Sequence, residues 1–231
     1  MTASDQLYLH EEALLLALRD REGTIDESAF VQTALGASLM GEFLLRECIH
    51  PVPDDSEGRV QFVREADFGG AFVGDALEKI RSFGEDKSAG FWVAVIAAMG
   101  DLIPSTARSL CDRGVLREDK EKVALIFTRK TYPEIDPKPE REILDRLENA
   151  IFSDHPTLDA RTTLLVALCH HTRLLNSNFD EKRLADRKEH IEAVIQGSFA
   201  SDAARAAIEA AQAAFFFTVI MPAVILPRFM P

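Results

Sequence analysis

The chain has little cysteine, few aromatic rings other than phenylalanine, and a deficit of positive charge. Its 231 residues include 3 Cys, 1 Trp and 2 Tyr against 15 Phe. Cys48, Cys111 and Cys169 are odd in number, far apart and each set in apolar surroundings. That pattern excludes a disulfide framework and reads as buried free thiols of a reducing compartment. Lys and Arg total 26 against 38 Asp and Glu, a net charge of −12. This balance opposes non-specific attraction to nucleic acid, so no nucleic-acid partner is expected; an anionic membrane would need a local basic patch. With 12 Gly and 10 Pro, 47% hydrophobic and 28% charged residues, the composition excludes a disordered chain and predicts one globular domain over residues 1–231.

Catalytic and metal signatures are also missing. No G-x-S-x-G, P-loop or Rossmann glycine pattern occurs, so nucleophilic hydrolysis and nucleotide binding lack their usual signatures and no cofactor is expected. His10-Glu11-Glu12 lacks the second His one turn on that a zinc-protease helix needs, and reads as the polar stripe of the first helix. In Cys169-His170-His171, adjacent helical residues point about 100° apart and do not grip one metal from the same face. Asp154, His155 and Asp159 read as helix-start residues. The N-terminus has no cationic stretch before its apolar run and does not read as a secretory signal. Residues 210–227 carry no charge, the lower limit for a membrane span, and read as a buried final helix with an extended tail.

The stretch the chain is organised around is 158–175, LDARTTLLVALCHHTRLL. Positions 162–169 are uncharged and apolar on every helical face, which predicts a helix buried on all sides, capped by Thr157 or Asp159 after the stop at His155-Pro156. Further helices are expected over 7–20 (stopped by Gly23), from Asp26 or Ser28 to about 47, 75–83, 91–99, 105–113, 140–152, 180–196 and 201–218. In the second of these, Ala34, Gly36, Ala37, Ser38 and Gly41 allow another helix to approach closely. RVQF at 59–62 alternates as a strand, and 115–116 with 123–127 read as a hairpin joined by the charged run REDKEK. The expected fold is mainly α, helices around a central apolar helix, with one or two small β-hairpins.

These blocks resemble the Golgi phosphoprotein 3 family, which has eukaryotic and bacterial members. The likeness lies in LYLHEEALLLALRDREG (7–23), LMGEFLLRECI (39–49), Gly74-Asp75-Ala76-Leu77, RGVL (113–116) with the hairpin and Tyr132-Pro133, and residues 159–175, all in the family's order. The resemblance implies a compact helical domain, no catalysis, and a cytoplasmic protein peripheral on a membrane. Eukaryotic members bind phosphatidylinositol 4-phosphate and act as adaptors that help retain glycosyltransferases. The family's hairpin, matching 120–131 here, inserts into membranes and takes part in self-association.

In KVALIFTRKTYP, apolar and aromatic residues flank a basic tip at 128–130, a pattern suited to a headgroup interface. The candidate membrane or partner contacts are therefore Leu125, Ile126, Phe127, Arg129, Lys130 and Tyr132. The family's headgroup residues fall near Glu27, Gly36, Gly100 and Ile103, none of them cationic; phosphate contacts, if relocated, would fall to Arg46, Arg108 and Arg113. Three functions stay open: a phosphoinositide-family adaptor at an anionic membrane; a helical module for protein partners or self-association without a lipid role; and, ranked last, a metal- or ligand-binding protein using His155, Cys169 and His170 or His171.

Overall fold

The computed structural model describes residues 6–19, 23–25, 31–53, 55, 58–68, 70–83, 87–123, 127–156 and 158–196, with backbone alone at 19, 122, 123 and 127–129. The expected helix at 201–218 and the uncharged segment at 210–227 lie outside them. Among the described residues the fold is mainly α, with ten helices and three small antiparallel sheets.

Two helices form the centre, one buried along its middle and one throughout. Helix α7 (Ala160–His171) buries every residue from Thr162 to Cys169, as its uncharged run requires, and the Asp159 carboxylate caps it by accepting from the Thr162 N–H at 2.7 Å. It is shorter than expected. The chain turns at Thr172 and Arg173, the latter at φ 63°, and restarts as α8 (Leu174–Asn178). Helix α1 (Leu9–Ala17) is equally central, with all nine residues buried.

Helix α2 (Val31–Leu45) packs on α1, on α4 (Ala89–Ala97) and on α7. Its small residues make this possible: a Cβ at Gly36 would meet the Val93 carbonyl oxygen at 2.9 Å, and one at Gly41 would meet Leu164 Cδ2 at 2.7 Å. Helices α3 (Ala71–Ser82), α5 (Leu102–Asp112), α6 (Lys138–Phe152), α9 (Glu181–Asp186) and α10 (Lys188–Ile195) complete the helical set. The single helix expected over 180–196 is thus two, broken at Arg187.

Strands β1 (Leu18–Arg19) and β2 (Thr24–Ile25) pair where the first helix was expected to continue. Gly23, at φ 59°, makes their turn rather than ending the helix. The RVQF strand is β4 (Arg59–Phe62), at the centre of a sheet ordered β3–β4–β5 with β3 (Ile49–Pro51) and β5 (Lys87–Ser88). Cys48 and Cys169 are buried, Cys111 is half-buried, and all three are free thiols.

Candidate functional site

The hairpin is built from β6 (Asp119–Val123) and β7 (Phe127–Thr131). Its register differs from the sequence expectation. The charged run is itself the first strand, and 128–130 lie along the second strand rather than at the tip. Residues 115–116 form no strand; Leu116 makes only an isolated bridge to Glu134. A ribbon that stands off the core solvates both faces, so charge does not exclude pairing there.

Lys120 pairs with Lys130 and Lys122 with Thr128, positions that alternate to one side of the ribbon; Asp119, Glu121 and Val123 pair with Thr131, Arg129 and Phe127 on the other. Two lysines directly opposite each other repel, which favours an anion beside them. The Glu118 carboxylate partly fills that role, 2.9 Å from Lys130 Nζ. Exposed Arg108 on α5 adds its field at Lys130 and Tyr132. The basic face is therefore Arg108, Lys120 and Lys130. Lys120 escaped the sequence reading, although the alternation in Lys120-Glu121-Lys122 is its signal.

Of the residues named from sequence, Leu125 and Ile126 lie outside the described residues, and Phe127 and Arg129 are placed by backbone alone. Tyr132 stands apart from a contact surface: its ring is buried and its N–H donates to the Gly23 carbonyl at 2.8 Å. A Cβ at Gly23 would come within 2.2 Å of the Tyr132 carbonyl carbon and the Pro133 nitrogen, so this glycine lets the hairpin base lie against the β1–β2 turn.

Arg46 and Arg113 converge, but on an aromatic ring. Their guanidinium carbons lie 4.9 and 5.3 Å from the Tyr8 centroid. Each is also tied to a carboxylate, Arg46 Nε to Glu42 Oε1 at 2.7 Å and Arg113 Nε to Glu11 Oε1 at 3.1 Å. Arg108 has no ion-pair partner among the described residues and is the one of the three left available to an anion.

Those carboxylates correct the reading of the first helix. His10, Glu11 and Glu12 form no solvated stripe: they are 2%, 0% and 2% exposed. Glu11 reaches back to the Tyr8 N–H at 2.8 Å, and Glu42 from α2 accepts the Leu9 N–H at 2.9 Å, so two donors freed at the start of α1 end on carboxylates. Arg161 bridges Glu12 (3.3 Å) and Glu42 (3.1 Å) and donates to the Leu7 carbonyl, while Arg146 meets Glu12 at 2.8 Å. Burial alone would push the Glu42 carboxyl up; Arg161, the Arg46 hydrogen bond and the Leu9 N–H outweigh it and hold the group below the usual carboxylate value. Burial likewise keeps His10 below the ordinary imidazole value, so it is neutral at pH 7.

Comparison with family models matches residues 9–211 of the chain to Golgi phosphoprotein 3 (GPP34). The chain belongs to the Golgi phosphoprotein 3 family. Of the positions named from the resemblance, Glu27 lies outside the described residues. Gly36 is pressed against α4, and Gly100 and Ile103 carry no charge. Among the described residues no single helix is long and apolar enough to cross a membrane, and α4 with α5, apolar enough together, are bent by 77°. No group of three His, Cys, Asp or Glu side chains among the described residues is placed to hold a metal ion.

Two clefts flank the buried charge network of this Golgi phosphoprotein 3 domain. One, of about 420 Å³, is lined by Glu12, Arg113 and Arg146 beside Glu142 and Asp136. The other, of about 410 Å³, lies between the start of α3 and α5 and reaches down to His10.

Proposed function

We propose that this member of the Golgi phosphoprotein 3 family is a non-enzymatic adaptor that associates peripherally with an anionic, phosphoinositide-bearing membrane on its cytoplasmic side, through the β6–β7 hairpin. The observation that carries the reading is the facing pair Lys120 and Lys130, with Arg108 beside it, on a chain whose net charge is −12. Clustered cations meet lipid phosphate at about 1 kcal/mol each near the surface, while the rest of the acidic molecule is held away. The sequence between the two strands, Ala124-Leu125-Ile126, and Phe127 after it supply apolar residues for the acyl boundary.

Co-sedimentation with neutral, generic anionic and phosphatidylinositol 4-phosphate vesicles at low and moderate salt tests it. The reading expects pelleting with anionic vesicles, weakening with salt, and further enrichment with the phosphoinositide. Absence of pelleting with every vesicle would overturn it.

A second reading, protein–protein interaction or self-association without a lipid role, is favoured by one feature. Phe83 and Phe91 are 54% and 38% exposed and lie 6.0 Å apart, an aromatic patch on the surface. Size-exclusion with light scattering over a concentration series checks it; a strict monomer that captures no protein removes it.

A further inference from the structure

The 410 Å³ cleft between α3 and α5 has a floor, a wall and a rim of different chemistry. At its floor is His10, 2% exposed, with Nδ1 buried and without a hydrogen-bond partner. A buried polar atom left unpaired has lost its hydration with no hydrogen bond in return, so it calls for a reason. The neighbouring hydroxyls do not supply one: Thr106 donates to the Leu102 carbonyl at 2.8 Å and Ser109 to Glu11 at 2.6 Å. Other buried polar atoms are also unpaired, but His10 is the one residue among them that lines this cleft; Arg146, in the other cleft, is already held by Glu12. The wall is aromatic. Tyr8 stacks on His10 at 5.7 Å, Phe68 meets the edge of Tyr8 at 5.7 Å, and Phe72 lines the same space. The rim is acidic: Asp75, Asp101 and Asp112 are exposed and have no ion-pair partner among the described residues. Among the described residues Arg108 is the only cation lining the cleft, and its field is shared with the hairpin. None of Gly36, Gly100 and Ile103 lines the cleft.

We propose that this cleft binds a small amphipathic amino alcohol, its hydroxyl on His10 Nδ1, its apolar body along Phe68 and Phe72, and its ammonium among Asp75, Asp101 and Asp112. A hydroxyl fits the floor because it donates and accepts, and so serves either tautomer of a neutral imidazole. The ammonium belongs at the rim, where it keeps part of its hydration, because burying it beside Arg113 would be costly. An anion is disfavoured, since three carboxylates outweigh one arginine and the partial positive charge at the start of α3. The volume suits a ligand of this size.

The test is ligand-observed NMR and calorimetry with 2-amino-1-phenylethanol, against phenethylamine, which lacks the hydroxyl, 1-phenylethanol, which lacks the amine, and inorganic phosphate. The amino alcohol is expected to bind one per chain, with at least a five-fold loss on removing either group. Asp101→Asn with Asp112→Asn, both at exposed positions, removes the preference for the amine over 1-phenylethanol. His10→Leu removes the preference for the hydroxyl, and His10→Phe serves in its place if that variant fails to fold. Equal binding of all three organic probes, no saturable binding of any, or tighter binding of phosphate overturns the proposal.

Discussion

Arg161 and Glu42, 119 residues apart in the chain, meet at 3.1 Å over the start of α1, with 12% and 1% of their side chains exposed. The same guanidinium holds Glu12 and the Leu7 carbonyl, so one residue of α7 fixes α1, α2 and the segment before α1.

Arg161→Ala therefore leaves two buried carboxylates short of a partner. Arg46 and Arg146 remain and soften the loss. Chemical denaturation is expected to show a loss of about 3 kcal/mol, near the lower end for breaking a buried pair. A change below about 1 kcal/mol would mean the network is solvated.

Two glycines predict opposite signs. Gly36→Ala puts a Cβ 2.9 Å from the Val93 carbonyl, so α2 and α4 must separate, at about 1–3 kcal/mol. Gly74, inside α3, has nothing within 4 Å of such a Cβ, and Gly74→Ala should stabilise by about 0.5–1 kcal/mol. Paired thermal melts decide both.

Acid should destabilise the protein from neutrality downward. Burial holds His10, His170 and His171 below the ordinary imidazole value, with His170 adding to the effect at His171. Below about pH 6.5 the unfolded imidazoles take up protons that the folded ones refuse, so stability present above that pH is lost as pH falls. The depressed Glu42 acts in the same sense at lower pH, and Glu12, which burial raises, in the opposite one. The double variant His170→Gln with His171→Gln should flatten the denaturation midpoint between pH 7.5 and 5.5; an unchanged slope would contradict this.

What could be read from the sequence follows from where the deciding partners lie. The uncharged face of α7 and its Asp159 cap are local, and both were legible. His10-Glu11-Glu12 was misread because a polar triplet is normally solvated, and the arginines that neutralise it, Arg113, Arg146 and Arg161, come from far along the chain. Arg173 breaks the central helix with no Gly or Pro to announce it. The run at 117–122 read as a linker because charge usually marks a turn, yet β6 carries it as a strand with Lys120 and Glu121, successive residues that alternate between its faces, both exposed. The convergence of Arg46 and Arg113 on Tyr8 is tertiary and left no sequence signal.

The central claim is that the basic face of the hairpin carries the membrane contact. Its most direct measurement is vesicle co-sedimentation of Lys120→Glu with Lys130→Glu beside the unmodified chain, on anionic vesicles at low salt. The account predicts unaltered folding and at least a ten-fold fall in bound fraction at limiting lipid, because two attractive charges become repulsive. Undiminished pelleting of the folded double variant would contradict it and move the contact away from the hairpin.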